Sequence, residues 1–98
     1  MISSLEQLSE LNGESVEDVR NEIEFLLDSL EVLRATNEIS NDAFLEAGSI
    51  QGGLSVILNM LNQGIEDEAN SHLLRLKERA KALSSTYPDL DSKIESRR

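Results

Sequence analysis

Cysteine and tryptophan are absent, proline occurs once, at Pro88, and the aromatic residues are limited to Phe25, Phe44 and Tyr87. Without cysteine the chain has no disulfide, no thiolate nucleophile and no Cys-based zinc site, so its stability must come from packing. Five glycines and one proline are few turn formers for a chain of many strands, and no segment alternates apolar with polar residues. An interior poor in aromatics has to be built from Leu, Ile, Val and Ala, which suits helices packed on helices. Long hydrophobic runs are also missing. The stretch 47–65 is uncharged, but Gly48, Gln51, Gly52, Gly53, Asn59, Asn62 and Gln63 interrupt it. A membrane span needs roughly 20 predominantly apolar residues, so this segment predicts a buried helix and no membrane association. The first residues, carrying Glu6 and Glu10, lack the basic start and apolar run of a secretory signal, and a cytoplasmic location is expected.

The apolar residues that are present recur with helical spacing. A chain of 98 residues makes one domain with a modest core, since a domain of this size buries only about two thirds of the surface its unfolded form exposes. Ser3 and Glu6 have capping-box spacing, and Leu5, Leu8 and Leu11 form an edge that Asn12 and Gly13 end, which predicts a short leading helix within residues 1–13. Ser15 with Asp18 is a second cap signal. Val16, Val19, Ile23, Leu26, Leu30 and Leu33 then alternate spacings of three and four, the seam of a long helix, broadened by Phe25, Leu27 and Val32. After a polar link, Ser40 or Asn41 caps a second long helix with the stripe Ala43, Ala47, Ile50, Leu54, Ile57 and Leu61, which Gly64 ends. Glu66, Asp67 and Glu68 suit the positive start of a third helix, whose face is Ala69, Leu73, Leu76, Ala80 and Leu83. That helix is expected to fray over 84–86, and 88–98 to be a partly ordered tail in which Leu90 and Ile94 support a turn or two. The fold class is therefore all-α: an antiparallel bundle of three long helices plus a short N-terminal helix, expected to dimerise.

Charge is the most informative feature, because it is segregated. Residues 1–46 hold 12 acids against 2 bases, Arg20 and Arg34, whereas residues 47–98 hold 7 of each, so the net charge of −10 resides in the first half. On the first long helix Glu24, Asp28 and Glu31 share a face, and Asp18 and Glu22 repeat the spacing of four. Like charges so placed destabilise a helix by a few tenths of a kcal/mol per pair. One reading is a solvated face that keeps the protein soluble. The other is a docking surface for a basic protein, including a nucleic-acid-binding groove that the carboxylates would fill in place of phosphates. Direct binding of nucleic acid is disfavoured by the same charge. The one basic patch, Arg75, Lys77, Arg79 and Lys81, lacks the interleaved aromatics of a single-strand binder and is expected to neutralise the acidic helix within the molecule or across a dimer.

A second feature is the back of the second long helix, where Gly48, Gly52, Ser55, Asn59 and Asn62 recur opposite the apolar stripe, with no charge between Glu46 and Glu66. Interior glycines weaken a helix by about 1 kcal/mol each relative to alanine, and close approach of another helix would compensate. Either this helix is central in a monomeric bundle, or it pairs with its twofold mate in a homodimer; the dimer is the expectation.

Catalytic constellations are weak. His72, the only histidine, follows Glu68 by four residues, where a di-iron bundle places its glutamate three before the histidine, and that position is Ala69. The glycines lie within a helix, without the strand and lysine of a phosphate loop. The expected function is thus a non-catalytic, acidic protein-protein interaction module, a regulator or adaptor of the kind seen among bacterial and phage accessory proteins, without cofactor or metal. The alternatives are an inhibitor that mimics nucleic acid and, from another class, a metal- or ligand-binding bundle enzyme.

Overall fold

The computed structural model describes residues 2–98, with side chains from Leu5 onward. Five α-helices follow in order: α1 (Ile2–Gln7), α2 (Val16–Ala35), α3 (Asn41–Asn62), α4 (Glu66–Thr86) and α5 (Leu90–Glu95), with a 3-10 turn at Gly13–Ser15 before α2. No strand occurs among the described residues. The long helix α3 lies against both α2 and α4, while α1 rests on α4, α5 rests on α2, and α1 touches α5. The two short helices thus cover the side between α2 and α4 that α3 leaves open.

Local sequence explains most boundaries. Ser40 caps α3, its Oγ accepting from the Ala43 amide at 3.1 Å. The chain leaves α2 through Asn37 at φ 60°, with the Glu38 amide donating to the Leu33 carbonyl, and leaves α3 through Gly64 at φ 75°, with the Ile65 amide donating to the Met60 carbonyl. Both are left-handed stops that satisfy the last carbonyls of a helix. Ser15 stands at the N-cap position of α2, and Asn12 caps the 3-10 turn that leads into it: Asn12 Oδ1 accepts from the Glu14 amide, and Ser15 Oγ accepts from the Asn12 amide. Ser15 makes no side-chain capping bond to α2. The Ser3 cap expected for the leading helix lies outside the described side chains.

The leading helix also ends sooner than its leucines suggest. Leu8 and Leu11 lie beyond α1, yet both are buried with Leu5. Tertiary contacts hold this stretch: Asn70 on α4 accepts the Leu11 amide at 2.7 Å and donates to the Leu11 carbonyl at 2.9 Å, and Lys77 donates to the Leu8 carbonyl at 2.7 Å. Main-chain groups that a helix would have paired internally are paired with α4 instead. At the other end α4 runs unbroken through Thr86, and Leu90 and Ile94 of α5 are buried in the common core.

Every residue of the α3 stripe, Ala43, Ala47, Ile50, Leu54, Ile57 and Leu61, is buried. By length and composition alone α3 is the one described helix that could cross a membrane; here those side chains face the bundle. Leu27, placed by its spacing beside the α2 seam, is instead exposed. One core position is anomalous. Ser29 on α2 is wholly buried and its hydroxyl has no hydrogen-bond partner among the described residues. An unmade hydrogen bond at a buried hydroxyl is a net loss, and alanine is the better helix former. Ser29→Ala is expected to raise the unfolding free energy by about 1 kcal/mol in a urea titration. A loss of stability would show that the hydroxyl is satisfied, for instance by a buried water.

Candidate functional site

The five acidic residues singled out on α2 do not form one surface. With the 3.6-residue period, Glu24, Asp28 and Glu31 point away from the core and are exposed, and Glu17 joins them. Asp18 and Glu22 turn to the flank where α1 and α5 lie, and line a cavity of about 330 Å³ with Gln7, Leu8 and Asn21. Asp18 is exposed, but the Glu22 side chain is only 12% exposed.

The cations that meet α2 are not the expected ones. Of the basic patch on α4, Lys77 is spent on the Leu8 carbonyl, Arg79 donates to Ser49 Oγ at 2.8 Å, and Lys81 lies 3.7 Å from Glu78. Among the described residues, neither these nor Arg75 forms an ion pair with α2. Two residues that follow α5 do so instead. Arg98 binds both oxygens of Glu22, at 2.8 and 3.0 Å, and donates through Nε to Glu95 at 2.9 Å. Its guanidinium also lies 4.0 Å from the Phe25 ring centroid. Arg97 reaches Asp28 at 2.9 Å. The Arg98 guanidinium is held above its usual range, first by its bonds to Glu22, then by those to Glu95, against partial burial. Arg20 pairs with Glu17 within α2, whereas Asp18, Glu24 and Glu31 have no cation within ion-pair distance among the described residues. Nothing local marked the contact of Arg97 and Arg98 with α2, because the pairs they make there span 69 and 76 residues of sequence.

The uncharged face of α3 emerges as a continuous outward strip. Gly52, Ser55, Asn59 and Asn62 are exposed and Gly48 half-buried, and the same strip carries Leu45, 61% exposed, and Val56, 47% exposed, two apolar side chains the spacing argument did not include. A Cβ built on Gly48 or Gly52 would meet nothing within 4 Å, so no neighbour in this chain requires glycine there. Gly53 differs: a Cβ would stand 2.5 Å from Leu76 Cδ1, so this glycine leaves room for the Leu76 side chain of α4. Ser55 Oγ donates to the Gln51 carbonyl at 3.3 Å and accepts from the Gln51 side chain, while the Asn59 and Asn62 side chains make no bonds among the described residues.

Elsewhere, His72 is half-buried and Glu68 exposed, and among the described residues no three potential ligands gather into a metal site. A cavity of about 230 Å³ lies between the α2–α3 link and the Tyr87–Pro88 turn, lined by Ile39, Ala43, Tyr87 and Lys93. The Tyr87 phenol is raised above its ordinary range, first by desolvation and then by the Glu46 carboxylate, which opposes ionisation and gives no nucleophile near neutral pH. Comparison of the chain with models of known families, with curated proteins and with solved structures finds no match.

Proposed function

We propose that this chain is a non-catalytic interaction module of the cytoplasm, an antiparallel helical bundle that docks a basic protein through the acidic side of α2 and self-associates through the outward strip of α3. The observation that carries the reading is the pattern of carboxylates on α2. Asp18, Glu24 and Glu31 are exposed and, among the described residues, without a cation, next to a site at Glu22 and Phe25 that already holds an arginine side chain. Exposed charges of one sign steer an oppositely charged partner and raise its association rate. The strip on α3 supports the second half: an uncharged face bearing Leu45 and Val56 in a chain of net charge −10 is a face from which charge has been kept away.

The test uses the triple variant E24Q/D28N/E31Q. Its stability should match that of the wild type to within about 0.5 kcal/mol, the usual range for surface substitutions, since the repulsion relieved and the exposed Asp28–Arg97 pair lost are both small. As bait in a pull-down from source cells, the wild type should retain a basic protein that elutes as salt is raised. The variant should bind that protein about tenfold more weakly at low ionic strength. Equal affinity would assign the carboxylates to solvation alone. A retained partner that itself binds nucleic acid, and is released by competing DNA or RNA, would select the mimicry version of this function.

A further inference from the structure

The arginine on α2 has a more developed seat than an incidental surface pair. The planar guanidinium of Arg98 presents two nitrogens to the two oxygens of Glu22, directs Nε to Glu95, and lies over the Phe25 ring at 4.0 Å. Forked pairing and stacking on an aromatic face are the two modes in which arginine differs from lysine, whose ammonium is a compact, strongly hydrated point charge. Glu22 is the most buried carboxylate of α2, and it also lines the cavity of about 330 Å³ with Asp18 and Asn21. Arg97 extends the contact to Asp28, which belongs to the outer acidic face. The chain's own arginines therefore cover the carboxylates that a basic partner would seek.

We infer that Arg97 and Arg98 act as an intramolecular ligand that autoinhibits the acidic surface of α2, and that an arginine-bearing segment of a protein partner docks by displacing Arg98 from Glu22 and Phe25. This rests on the docking reading above and adds the kind of side chain recognised and the way access is regulated. A tethered ligand competes at a high effective concentration, so only a partner offering several arginines at once displaces it. Leu90 and Ile94 belong to the common core, an anchor for α5 separate from the ion pairs of the arginines.

The test measures binding of a fluorescently labelled peptide of eight arginines, and of one of eight lysines, by anisotropy at low ionic strength. R97Q/R98Q is compared with the wild type and with R75Q/R79Q, which changes the net charge equally but removes no cation from α2; circular dichroism checks the folding of each. R97Q/R98Q should bind the arginine peptide about tenfold more tightly than the wild type, as expected when a tethered competitor is removed. R75Q/R79Q should gain no more than about twofold from its charge, and the lysine peptide should gain less than the arginine peptide. Equal gains by the two variants would overturn the inference while leaving the docking reading intact. If no protein binds either peptide, the docking reading falls and this inference with it. In the wild type, the Nε–H resonance of Arg98 should move toward that of free arginine as the peptide saturates. Peptide bound with that resonance unmoved would also refute displacement.

Discussion

Ile94→Ala should lower the unfolding free energy by about 3 kcal/mol, within the range measured when a large aliphatic side chain is removed from a closed core. Ile94 is fully buried and Leu90 nearly so, α5 lies on α2 and touches α1, and both residues belong to the same core cluster as the long helices. Truncation leaves a void between elements drawn from both ends of the chain, and neither α1 nor α5 can close it without releasing its other contacts. For a domain of this size 1 kcal/mol is worth about 4–8 °C, so a fall in Tm of more than roughly 10 °C is expected. The urea midpoint should drop with little change in slope, since the surface exposed on unfolding is nearly the same. A loss below about 0.5 kcal/mol, typical of surface positions, would mean that α5 frays from α2 in solution.

That expectation also shows where the sequence is legible and where it is not. The three long helices follow from periodicity, because each carries enough apolar positions for the period of 3.6 to be read, and local stops such as Gly64 and Ser40 fix their ends. The last eleven residues carry only Leu90 and Ile94 as aliphatic positions, after Pro88, and so read as a partly ordered tail. Their burial is decided by α1 and α2, to which no local pattern refers. The same limit applies to Leu8 and Leu11, whose main chain is claimed by Asn70 and Lys77 from α4. On the acidic helix the spacing grouped five carboxylates that the structure divides between two surfaces, because counting in threes and fours does not say where α5 will lie. The glycine whose packing the structure explains, Gly53, stood outside the spaced set; Gly48 and Gly52 have no such explanation within one chain.

Pairing through α3 would account for those two glycines as well as for the exposed Leu45 and Val56, and Gly52→Glu gives a result whose sign discriminates. In an isolated chain the substitution is benign: Gly52 is exposed, a Cβ there meets nothing within 4 Å, and glutamate is the better helix former by several tenths of a kcal/mol. A monomer would therefore be unchanged or slightly more stable. Across a twofold contact of closely approaching helices, the added side chain would force the backbones apart and bury a carboxylate opposite a strip of Gly48, Ser55 and Asn59 that holds no cation. An unpaired buried charge is destabilising by several kcal/mol. The expected result is a wild type that sediments at twice the chain mass of 10.9 kDa. The variant's dissociation constant should rise at least about a hundredfold, the equivalent of roughly 3 kcal/mol, leaving it monomeric at micromolar concentration. Gly52→Ala serves as the companion. It adds only a methyl group, so it should weaken pairing less than glutamate while each chain gains up to about 1 kcal/mol of helix stability. Sedimentation equilibrium on the three proteins decides the matter: a wild type that is monomeric at high concentration, or a Gly52→Glu variant that pairs as before, would remove α3 from the interface.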